Sequence, residues 1–439
     1  MPLAPINGQY DVGGVLQERP FKVRRLGHVG FALENFDECL RFYRQLLGLR
    51  ISDFIDRATR LPAGTFDGMG DTKTYFMRYA SDHHSFVINS RIVGETYQRL
   101  RNSDAARQFA NPLTNPAGRI TERSPAESER ARSGRRDSLG QKSWQVDSLA
   151  EVVNAYDWLK SQEVKIDRAG RDMPGSNWHT YFRDPEGLSH ELYYGMEQIG
   201  WDGLTKPKEL YRDRATEAPE LPRASEGEEI ERGIADGIDM SAGNRDPEDM
   251  PLRFDVDGVM LARPFRIINM SPLGLFMDDI PTAVSFYSDI MGFKVTEQAN
   301  CLGEDVHFLR LNNEHHSLAL YPKALKDKLG IAPDTTCAVV SFQVANYKQL
   351  RNAVDFLKSE GIRVFDAPEA FHTGIDYAAH FLDPDGHCVR LYHSMESVDW
   401  NGQPRPEVAR IHLAFSQWPE QIQDSTLAYS SNIFQGPLG

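Results

Sequence analysis

The sequence has few cysteines and no long apolar run. Its four cysteines are scattered and form no CxxC pair, so neither a disulfide framework nor a thiolate zinc site is indicated. No hydrophobic stretch approaches the length that crosses a bilayer, and the first residues lack the basic and then apolar order of a secretory signal. We therefore expect a cytoplasmic protein that does not bind membranes.

Basic side chains are also scarce. Acidic residues outnumber lysine and arginine by 63 to 49, which gives a formal net charge of -14. A chain with this charge repels a phosphate backbone, so nucleic acid is not expected as a partner. The GxGxxG, GxxxxGK[ST], GxSxG and HExxH motifs are absent, which leaves nucleotide-binding, serine-hydrolase and zincin functions without support.

Internal repeats divide the chain into two homologous halves. The segment DVGGVLQERPFKV at 11–23 returns as DVDGVMLARPFRI at 255–267, and FRDPEGLSHELYYG at 182–195 returns as FLDPDGHCVRLYHS at 381–394. Within each half, the order of strand, helix and further strands occurs twice. The DPEG sequence between the last two strands of the first half is expected to form a hairpin turn. Four strand-helix-strands units are predicted, two in each domain.

The repeats predict the domain limits. A chain of 439 residues is too long for one ordinary core, in agreement with two domains. Two polar segments fall outside the repeats and are expected to be long connections. The predicted order is an N-terminal domain at 20–204 with an insert at about 93–139, an acidic linker at 205–250, a C-terminal domain at 251–410 and a tail at 411–439.

The FY..LLG helix, the HHS strand and the DP-acid-G hairpin together resemble the vicinal oxygen chelate superfamily. This is the glyoxalase/bleomycin-resistance/extradiol dioxygenase superfamily, and the closest resemblance is to two-domain extradiol ring-cleaving dioxygenases. It covers nearly the whole chain apart from the two connections and the tail. The fold it implies is α+β, with four tandem βαβββ modules, two per domain, each pair forming a half-barrel cup.

The resemblance also implies an activity. It points to a metal-dependent dioxygenase that cleaves a catechol-like or hydroquinone-like aromatic ring with O2. The implied cofactor is Fe(II), with Mn(II) or Zn(II) as alternatives, and the implied partners are a small aromatic substrate and further copies of the chain in a homo-oligomer. Such an enzyme belongs to aromatic compound metabolism.

Carried over residue by residue, the resemblance places metal ligands at His28, in LGHVGF, and at Glu191, in DPEGLSHEL. The family's second histidine falls on Gln141. The amide oxygen of Gln141 would be a neutral ligand and a weaker one than the imidazole of that histidine. Glyoxalase-type members of the superfamily do use glutamine as a metal ligand. The corresponding positions of the second half hold residues that cannot bind a cation, so the metal is expected in the first half only. These residues are Pro272, Val339 and Arg390.

The resemblance assigns acid-base chemistry to His84, in DHHSFV, and contact with substrate and oxygen to Tyr181. Strand alternation supports the site independently, because every second residue of a strand lies on the same face. By this pattern one cup could receive His179, Tyr181 and Glu191 together. His179 could replace the missing imidazole ligand, act as an acid or base, or hydrogen-bond a neighbour.

Each of these residues also has a structural interpretation. His28 and His84 could be hydrogen-bonded histidines without chemistry, and Tyr181 could be a core residue. Glu191 could pair with Arg183. Three functions therefore remain open: a dioxygenase, a non-oxidative lyase, isomerase or hydrolase that uses its metal as a Lewis acid, and a metal-free binding protein.

Overall fold

The structure is a computed structural model of the full chain. It describes residues 5, 7–100, 137–171, 175, 177–211, 217–331, 335–398, 401–411 and 413–422. Most of the predicted insert at 93–139 and the end of the predicted tail lie outside these residues. In the part of the chain that the structure describes, no helix combines the length and the apolar character needed to cross a membrane.

The chain divides into two compact units. The first comprises Met1–Val23, Gly27–Asp37 and Arg50–Pro247, and the second comprises Arg24–Leu26, Glu38–Leu49 and Glu248–Gly439. The domain limits derived from the repeats remain a prediction.

Among the residues that the structure describes, each unit contains a small hairpin and one mixed sheet of eight strands. In the first unit, β1 (Tyr10–Val12) and β2 (Val15–Gln17) form the hairpin. The sheet consists of β3 (Arg25–Leu33), β4 (Arg50–Asp56), β5 (Lys73–Arg78), β6 (Phe86–Ser90), β7 (Leu139–Gln145), β8 (Ile166–Arg171), β9 (Trp178–Arg183) and β10 (Ser189–Tyr194). Its strand order is β4-β5-β6-β3-β7-β10-β9-β8, so the two modules meet at β3 and β7.

The second unit repeats this arrangement. Its hairpin is β11 (Phe254–Val256) with β12 (Val259–Leu261). The sheet consists of β13 (Ile267–Met277), β14 (Lys294–Cys301), β15 (Glu304–Arg310), β16 (Leu318–Pro322), β17 (Cys337–Val344), β18 (Val364–Phe365), β19 (Ala378–Leu382) and β20 (Cys388–Tyr392). The order β14-β15-β16-β13-β17-β20-β19-β18 matches that of the first sheet. The predicted α+β fold of paired modules is confirmed.

The helices of the described residues lie between the strands. They are α1 (Phe36–Arg41), α2 (Arg91–Leu100), α3 (Leu149–Ser161), α4 (Glu226–Ala235), α5 (Ile280–Ser285), α6 (Leu325–Leu329) and α7 (Tyr347–Ser359). Single π turns follow α1 and α5, at Phe42–Leu46 and Phe286–Ile290. Short 3-10 turns lie at Arg57–Arg60, Lys208–Tyr211, Glu369–Phe371, Glu407–Ala409 and Phe415–Gln417.

The local sequence explains where several elements begin and end. The side chain of Ser148 accepts a hydrogen bond from the backbone N–H of Glu151 and so caps the start of α3. In the DPEG turn, the Asp184 carboxylate accepts from the backbone N–H of Leu188 at 2.8 Å, and Gly187 has φ +74°. This backbone conformation is easily adopted only by glycine. The predicted hairpin turn is confirmed.

Two segments belong to the units in a way that the repeats do not predict. The acidic linker carries α4 and the turn Lys208–Tyr211, and the first unit continues to Pro247. The helical segment Glu38–Leu49 belongs to the second unit, where the buried hydroxyl of Tyr43 donates a 2.8 Å hydrogen bond to the Asp383 carboxylate.

Candidate metal centre

Three neighbouring strands of the first sheet carry the predicted metal ligands. His28 lies on β3, Gln141 on β7 and Glu191 on β10, and these strands are adjacent in the order β3-β7-β10. Paired strands lie about 4.8 Å apart, so side chains on one face of such strands can meet. The parallel register of β7 and β10 aligns Ser143 with Glu191. Gln141 lies two residues before Ser143, so its side chain is on the same face of the strand. We call the face that carries His28, Gln141 and Glu191 the cup face.

The side-chain atoms of these three residues form a compact triangle. The Nε2 atom of His28 lies 2.9 Å from Oε2 of Glu191. The amide nitrogen of Gln141 lies 2.9 Å from His28 Nε2 and 2.7 Å from Glu191 Oε2. His28 and Glu191 are each only 1% exposed, whereas Gln141 is partly exposed. Two buried groups and one group that solvent can reach therefore converge on one point.

The Glu191 carboxylate is held by polar groups on both oxygens. Ser143 donates to Oε2 at 2.5 Å, Asn177 donates to Oε1 at 2.9 Å, and Nδ1 of His179 lies 3.5 Å from Oε1. Burial by itself raises the pKa of this carboxyl, but His28, His179 and Ser143 outweigh it and lower the pKa to about 2. Glu191 is therefore a buried carboxylate, not a neutral acid, in the neutral pH range.

His84 lies beside this triangle. Its ring centroid is 4.4 Å from that of His28 in an edge-to-face arrangement, and its Nδ1 atom lies 3.0 Å from Nδ1 of His83. Burial, followed by the nearby His28 and His83, holds the pKa of His84 well below its usual value. Gly175, with φ +92°, leaves room for the ring, because a Cβ atom there would lie 2.9 Å from Cε1 of His84.

Tyr181 and His179 lie on β9 at the same face. The antiparallel register of β9 and β10 pairs Glu191 with Tyr181 and Tyr193 with His179. Directly paired residues share a face, so the face sharing predicted from alternation is confirmed. The Tyr181 hydroxyl lies 2.9 Å from the Gln141 amide nitrogen, and the rings of His179 and Tyr181 are 4.8 Å apart. Their chemical roles remain predictions.

The structure gives the contacts of two residues for which the sequence left alternatives, Arg183 and His179. The Nε atom of Arg183 lies 2.5 Å from Asp167 Oδ2, so Arg183 pairs with a carboxylate on β8. The ion pair that the structure gives Glu191 at 2.9 Å is with His28. His179 contacts Glu191 at Oε1, whereas Gln141 contacts it at Oε2. Whether Gln141 or His179 binds a metal remains a prediction.

Sequence reasoning missed two residues that contact Glu191. Ser143 could have been found, because it lies two residues after Gln141 and alternation predicts that it shares the cup face. Asn177 lies directly before β9 and outside the strand, so strand alternation does not indicate the direction of its side chain.

The second unit has a different set of side chains at the corresponding positions. The register that aligns Glu191 with Ser143 aligns Arg390 with Ser341. Arg390 is fully buried and donates to His380 at 3.0 Å, to the carbonyl of Phe371 at 2.7 Å and to Ser341 at 3.4 Å. Val339, at the position of Gln141, is fully buried in an apolar cluster with Phe371 and other residues. A guanidinium group and apolar side chains thus fill this cup.

Histidine, cysteine and carboxylate side chains alone do not complete a metal site. Among the residues that the structure describes, no three of these groups are arranged to hold a metal ion. In the first unit two such groups, His28 and Glu191, converge with an amide as the third. The arrangement therefore depends on Gln141.

Comparison with known proteins agrees with this architecture. A family model described as Glyoxalase/Bleomycin resistance protein/Dioxygenase superfamily matches residues 25–192 and 269–391. No curated protein matches the chain. The Mn(II)-bound glyoxalase from Novosphingobium aromaticivorans is similar in structure, with a TM-score of 0.50 and 15% identity, covering 94% of this chain and 99% of its own.

Two dioxygenases have similar structures as well. The 2,3-dioxygenase LapB from Pseudomonas sp. KL28 matches with a TM-score of 0.52 and 14% identity over 88% of this chain and 97% of its own. Homoprotocatechuate 2,3-dioxygenase from Arthrobacter globiformis matches with a TM-score of 0.50 and 15% identity over 88% and 85%. Identities this low show a shared fold only. Because the family model matches more than half of the sequence, the chain belongs to the Glyoxalase/Bleomycin resistance protein/Dioxygenase superfamily.

Proposed function

We propose that the first unit binds a divalent metal ion through His28 Nε2, the amide oxygen of Gln141 and Glu191 Oε2. The triangle of side-chain atoms supports this proposal, because its edges measure 2.9, 2.9 and 2.7 Å. Three ligands at about 2.0–2.1 Å from one ion, at right angles to each other, lie roughly 2.9–3.0 Å apart. This is the facial arrangement of imidazole and carboxylate ligands that leaves the remaining coordination positions open.

Gln141 can present either end of its amide to the triangle. Its nitrogen faces Glu191 and the Tyr181 hydroxyl, as expected when a donor lies beside a carboxylate. A half-turn about the last side-chain bond exchanges nitrogen and oxygen without moving the rest of the residue. With a cation at the centre of the triangle, the oxygen end is favoured, since an amide oxygen carries the lone pairs that bind metal.

We further propose that the protein is an extradiol-type dioxygenase, which cleaves a catechol-like or hydroquinone-like ring with O2. When bound, Fe(II) would act as a Lewis acid with open positions for vicinal substrate oxygens and would also supply O2 chemistry. Mn(II) or Zn(II) would supply the Lewis acidity. The single observation that supports the proposal most is that the buried Glu191 carboxylate lies 2.9 Å from His28 Nε2, with His84 and the Tyr181 hydroxyl beside the same triangle.

The neighbouring side chains have roles that follow from their positions. His84 is held neutral, and its Nδ1 atom is engaged by His83, so its Nε2 atom is the ring nitrogen that can exchange a proton with a substrate hydroxyl. The Tyr181 hydroxyl lies at the partly exposed side of the triangle, where it can donate to a substrate oxygen. His179, whose Nδ1 atom lies 3.5 Å from Glu191 Oε1, is a second candidate for proton transfer.

Oxygen consumption tests the proposal. Fe(II)-loaded protein is mixed with catechol or hydroquinone in an oxygen electrode, and one O2 is expected to be consumed per ring cleaved. Glu191→Gln and His28→Ala are expected to abolish uptake. His316→Gln, a histidine of the second unit at the position of His84, serves as a matched control that should retain it. No uptake with any diphenol, although the metal is bound, would rule out the dioxygenase.

A second candidate function is a non-oxidative lyase, isomerase or hydrolase that uses the metal as a Lewis acid. The observation that favours it is Gln141, because a neutral amide in place of the expected imidazole is less usual at a redox iron. Turnover of substrate under nitrogen distinguishes this function from the first. A metal-free binding protein would instead retain ligand binding in His28→Ala and Glu191→Ala. The homo-oligomer and the cytoplasmic location remain predictions.

A further inference from the structure

Each unit carries two adjacent buried histidines whose rings meet through the same nitrogen atom. In the first unit, Nδ1 of His83 lies 3.0 Å from Nδ1 of His84. In the second unit, Nδ1 of His315 lies 2.9 Å from Nδ1 of His316. A neutral imidazole carries one N–H, so in each pair of neutral rings one Nδ1 atom donates and the other accepts. The form of the first histidine therefore fixes the form of the second.

In the second unit a carboxylate fixes the form of the pair. Nε2 of His315 lies 3.0 Å from Oε2 of Glu297, and a carboxylate only accepts hydrogen bonds. Arg410 donates to both oxygens of Glu297, at 2.9 and 2.5 Å, and balances its charge, so His315 pairs with it as a neutral ring. His315 therefore carries its hydrogen on Nε2 and accepts at Nδ1. His316 then carries its hydrogen on Nδ1, and its Nε2 atom has a lone pair.

The first unit has a carboxylate at the corresponding position, but it binds other partners. Asp53 aligns with Glu297 in the sequence repeat, and each is paired across its sheet with a phenylalanine whose ring contacts the first histidine of the pair. The Asp53 carboxylate accepts from the backbone N–H of Phe54 at 2.7 Å and lies 3.1 Å from Nζ of Lys208. Among the residues that the structure describes, Nε2 of His83 has no hydrogen-bond partner.

The surroundings of His83 favour a lone pair on its Nε2 atom. Burial, followed by the nearby cations Arg78 and Lys206, lowers the pKa of His83 to about 3, so its ring is neutral in the neutral pH range. Positive charge attracts a lone pair and repels the hydrogen of an N–H. An N–H on Nε2 would also be buried without an acceptor in the described part of the chain, which is rare in folded proteins. The hydrogen of His83 therefore belongs on Nδ1, where His84 accepts it.

We propose that the first unit presents His84 to the substrate as an Nε2–H donor, the opposite of His316, and that His83 is the positioning residue that sets this form. The inference rests on the proposed function of the same site. The ring of His84 lies beside the triangle, with its centroid 4.4 Å from that of His28. A fixed N–H there stabilises negative charge on a substrate oxygen and cannot take up a proton from it. Proton uptake then falls to His179, the other candidate for proton transfer.

Nitrogen NMR of the histidine rings tests the inference, because the chemical shifts of Nδ1 and Nε2 distinguish a nitrogen that carries hydrogen from one with a lone pair. The full chain is labelled with 15N-histidine and loaded with Zn(II), which is diamagnetic, and spectra are recorded at neutral pH. His84→Gln and His316→Gln assign the two signals. The wild type is expected to carry hydrogen on Nε2 of His84 and on Nδ1 of His316. The same form at both residues, or a hydrogen on Nδ1 of His84, overturns the inference and leaves the proposed function standing.

Substitutions of His83 test what sets the form of His84. His83→Phe keeps an aromatic ring but removes the donor to His84, and should give both forms of His84 in one spectrum. His83→Asn, whose amide can donate to Nδ1 of His84, should restore the Nε2–H form. An Nε2–H form that persists alone in His83→Phe shows that His83 is not the positioning residue. If addition of Zn(II) leaves the signals of His28 unchanged, the proposed metal site fails and the inference fails with it.

A substitution in the second unit tests the contrast between the two pairs. Glu297→Leu removes the acceptor of His315 and should move the hydrogen of His316 from Nδ1 to Nε2. Glu304→Gln, which removes a carboxylate elsewhere in the same sheet, is the matched control and should leave both pairs as in the wild type. An unchanged His316 in Glu297→Leu shows that the carboxylate does not set the form of the pair, and overturns the inference.

Discussion

The side-chain amide of Gln141 lies 2.7 Å from Oε2 of Glu191, on the strand next to it in the first sheet. The amide thus occupies the position at which the family resemblance leads one to expect an imidazole. Because His28 contacts the same carboxylate oxygen, the properties of the proposed metal site depend on what residue 141 contributes.

Two substitutions of Gln141 are expected to change the metal affinity in opposite directions. Gln141→His supplies an imidazole, which binds Fe(II) and Zn(II) more strongly than an amide oxygen, and should lower the Zn(II) dissociation constant about tenfold. Gln141→Leu removes the third ligand and should raise the constant by at least as much. Competition titration with a chelating dye measures both. Equal affinity in the wild type and Gln141→Leu would show that residue 141 is not a ligand.

Ser143 is expected to support the site without binding the metal. Its hydroxyl donates to Glu191 at 2.5 Å, and loss of such a supporting hydrogen bond commonly weakens metal binding by about 10- to 100-fold. Ser143→Ala should show this loss in the same titration. Ser341→Ala, at the corresponding position of the second unit, should bind metal as the wild type does. An unchanged affinity in Ser143→Ala would contradict the role given to Ser143.

One divalent ion is expected per chain. The second unit holds Arg390 where the first holds Glu191, and a buried guanidinium repels a cation. Elemental analysis of protein dialysed against Mn(II) should give one ion per chain for the wild type and none for Glu191→Gln. His380→Gln, a change beside Arg390 in the second unit, should leave the count at one. Two ions per chain in the wild type would refute this account of the second unit.

The second unit is expected to lose stability at acidic pH because the carboxylate of Glu297 becomes protonated. Burial raises the pKa of its carboxyl, but hydrogen bonds from His315 and Arg410 outweigh this and lower it to about 2 from the usual 4.5. Since the folded-state pKa is depressed, the stabilisation is complete above pH 4.5 and is lost as the pH falls toward 2.

The Glu297→Gln variant should therefore be less stable than the wild type above pH 4.5. As the pH falls from 4.5 toward 2, the variant should lose less stability than the wild type. Urea unfolding at a series of pH values measures this difference. Glu304→Gln, which removes a carboxylate from a surface pair with Lys328, is the control and should follow the wild type. Parallel pH profiles of Glu297→Gln and the wild type would contradict the assignment.

Much of the fold could be predicted because it repeats. The two halves of the sequence match, and the strand order of the two sheets is the same. The alternation along β9 and β10 correctly placed His179, Tyr181 and Glu191 on one face, because side-chain direction in a regular strand follows from position alone. Regular local patterns were therefore reliable guides to the site.

The parts that could not be predicted depend on partners distant in sequence. The helical segment Glu38–Leu49 belongs to the second unit, and no local pattern specifies which sheet a helix covers. Asn177 lies before the first residue of β9, so strand periodicity does not predict its hydrogen bond to Glu191. Arg183 pairs with Asp167 because β8 supplies a carboxylate at close range.

The central claim is that His28, Gln141 and Glu191 bind one metal ion. A crystal structure of the Mn(II)-loaded protein, with anomalous diffraction to locate manganese, tests it most directly. The account predicts manganese bonded to His28 Nε2, Glu191 Oε2 and the amide oxygen of Gln141, at about 2.0–2.2 Å from each. Manganese bound by His179 in place of Gln141, or no manganese between these three side chains, would contradict the claim.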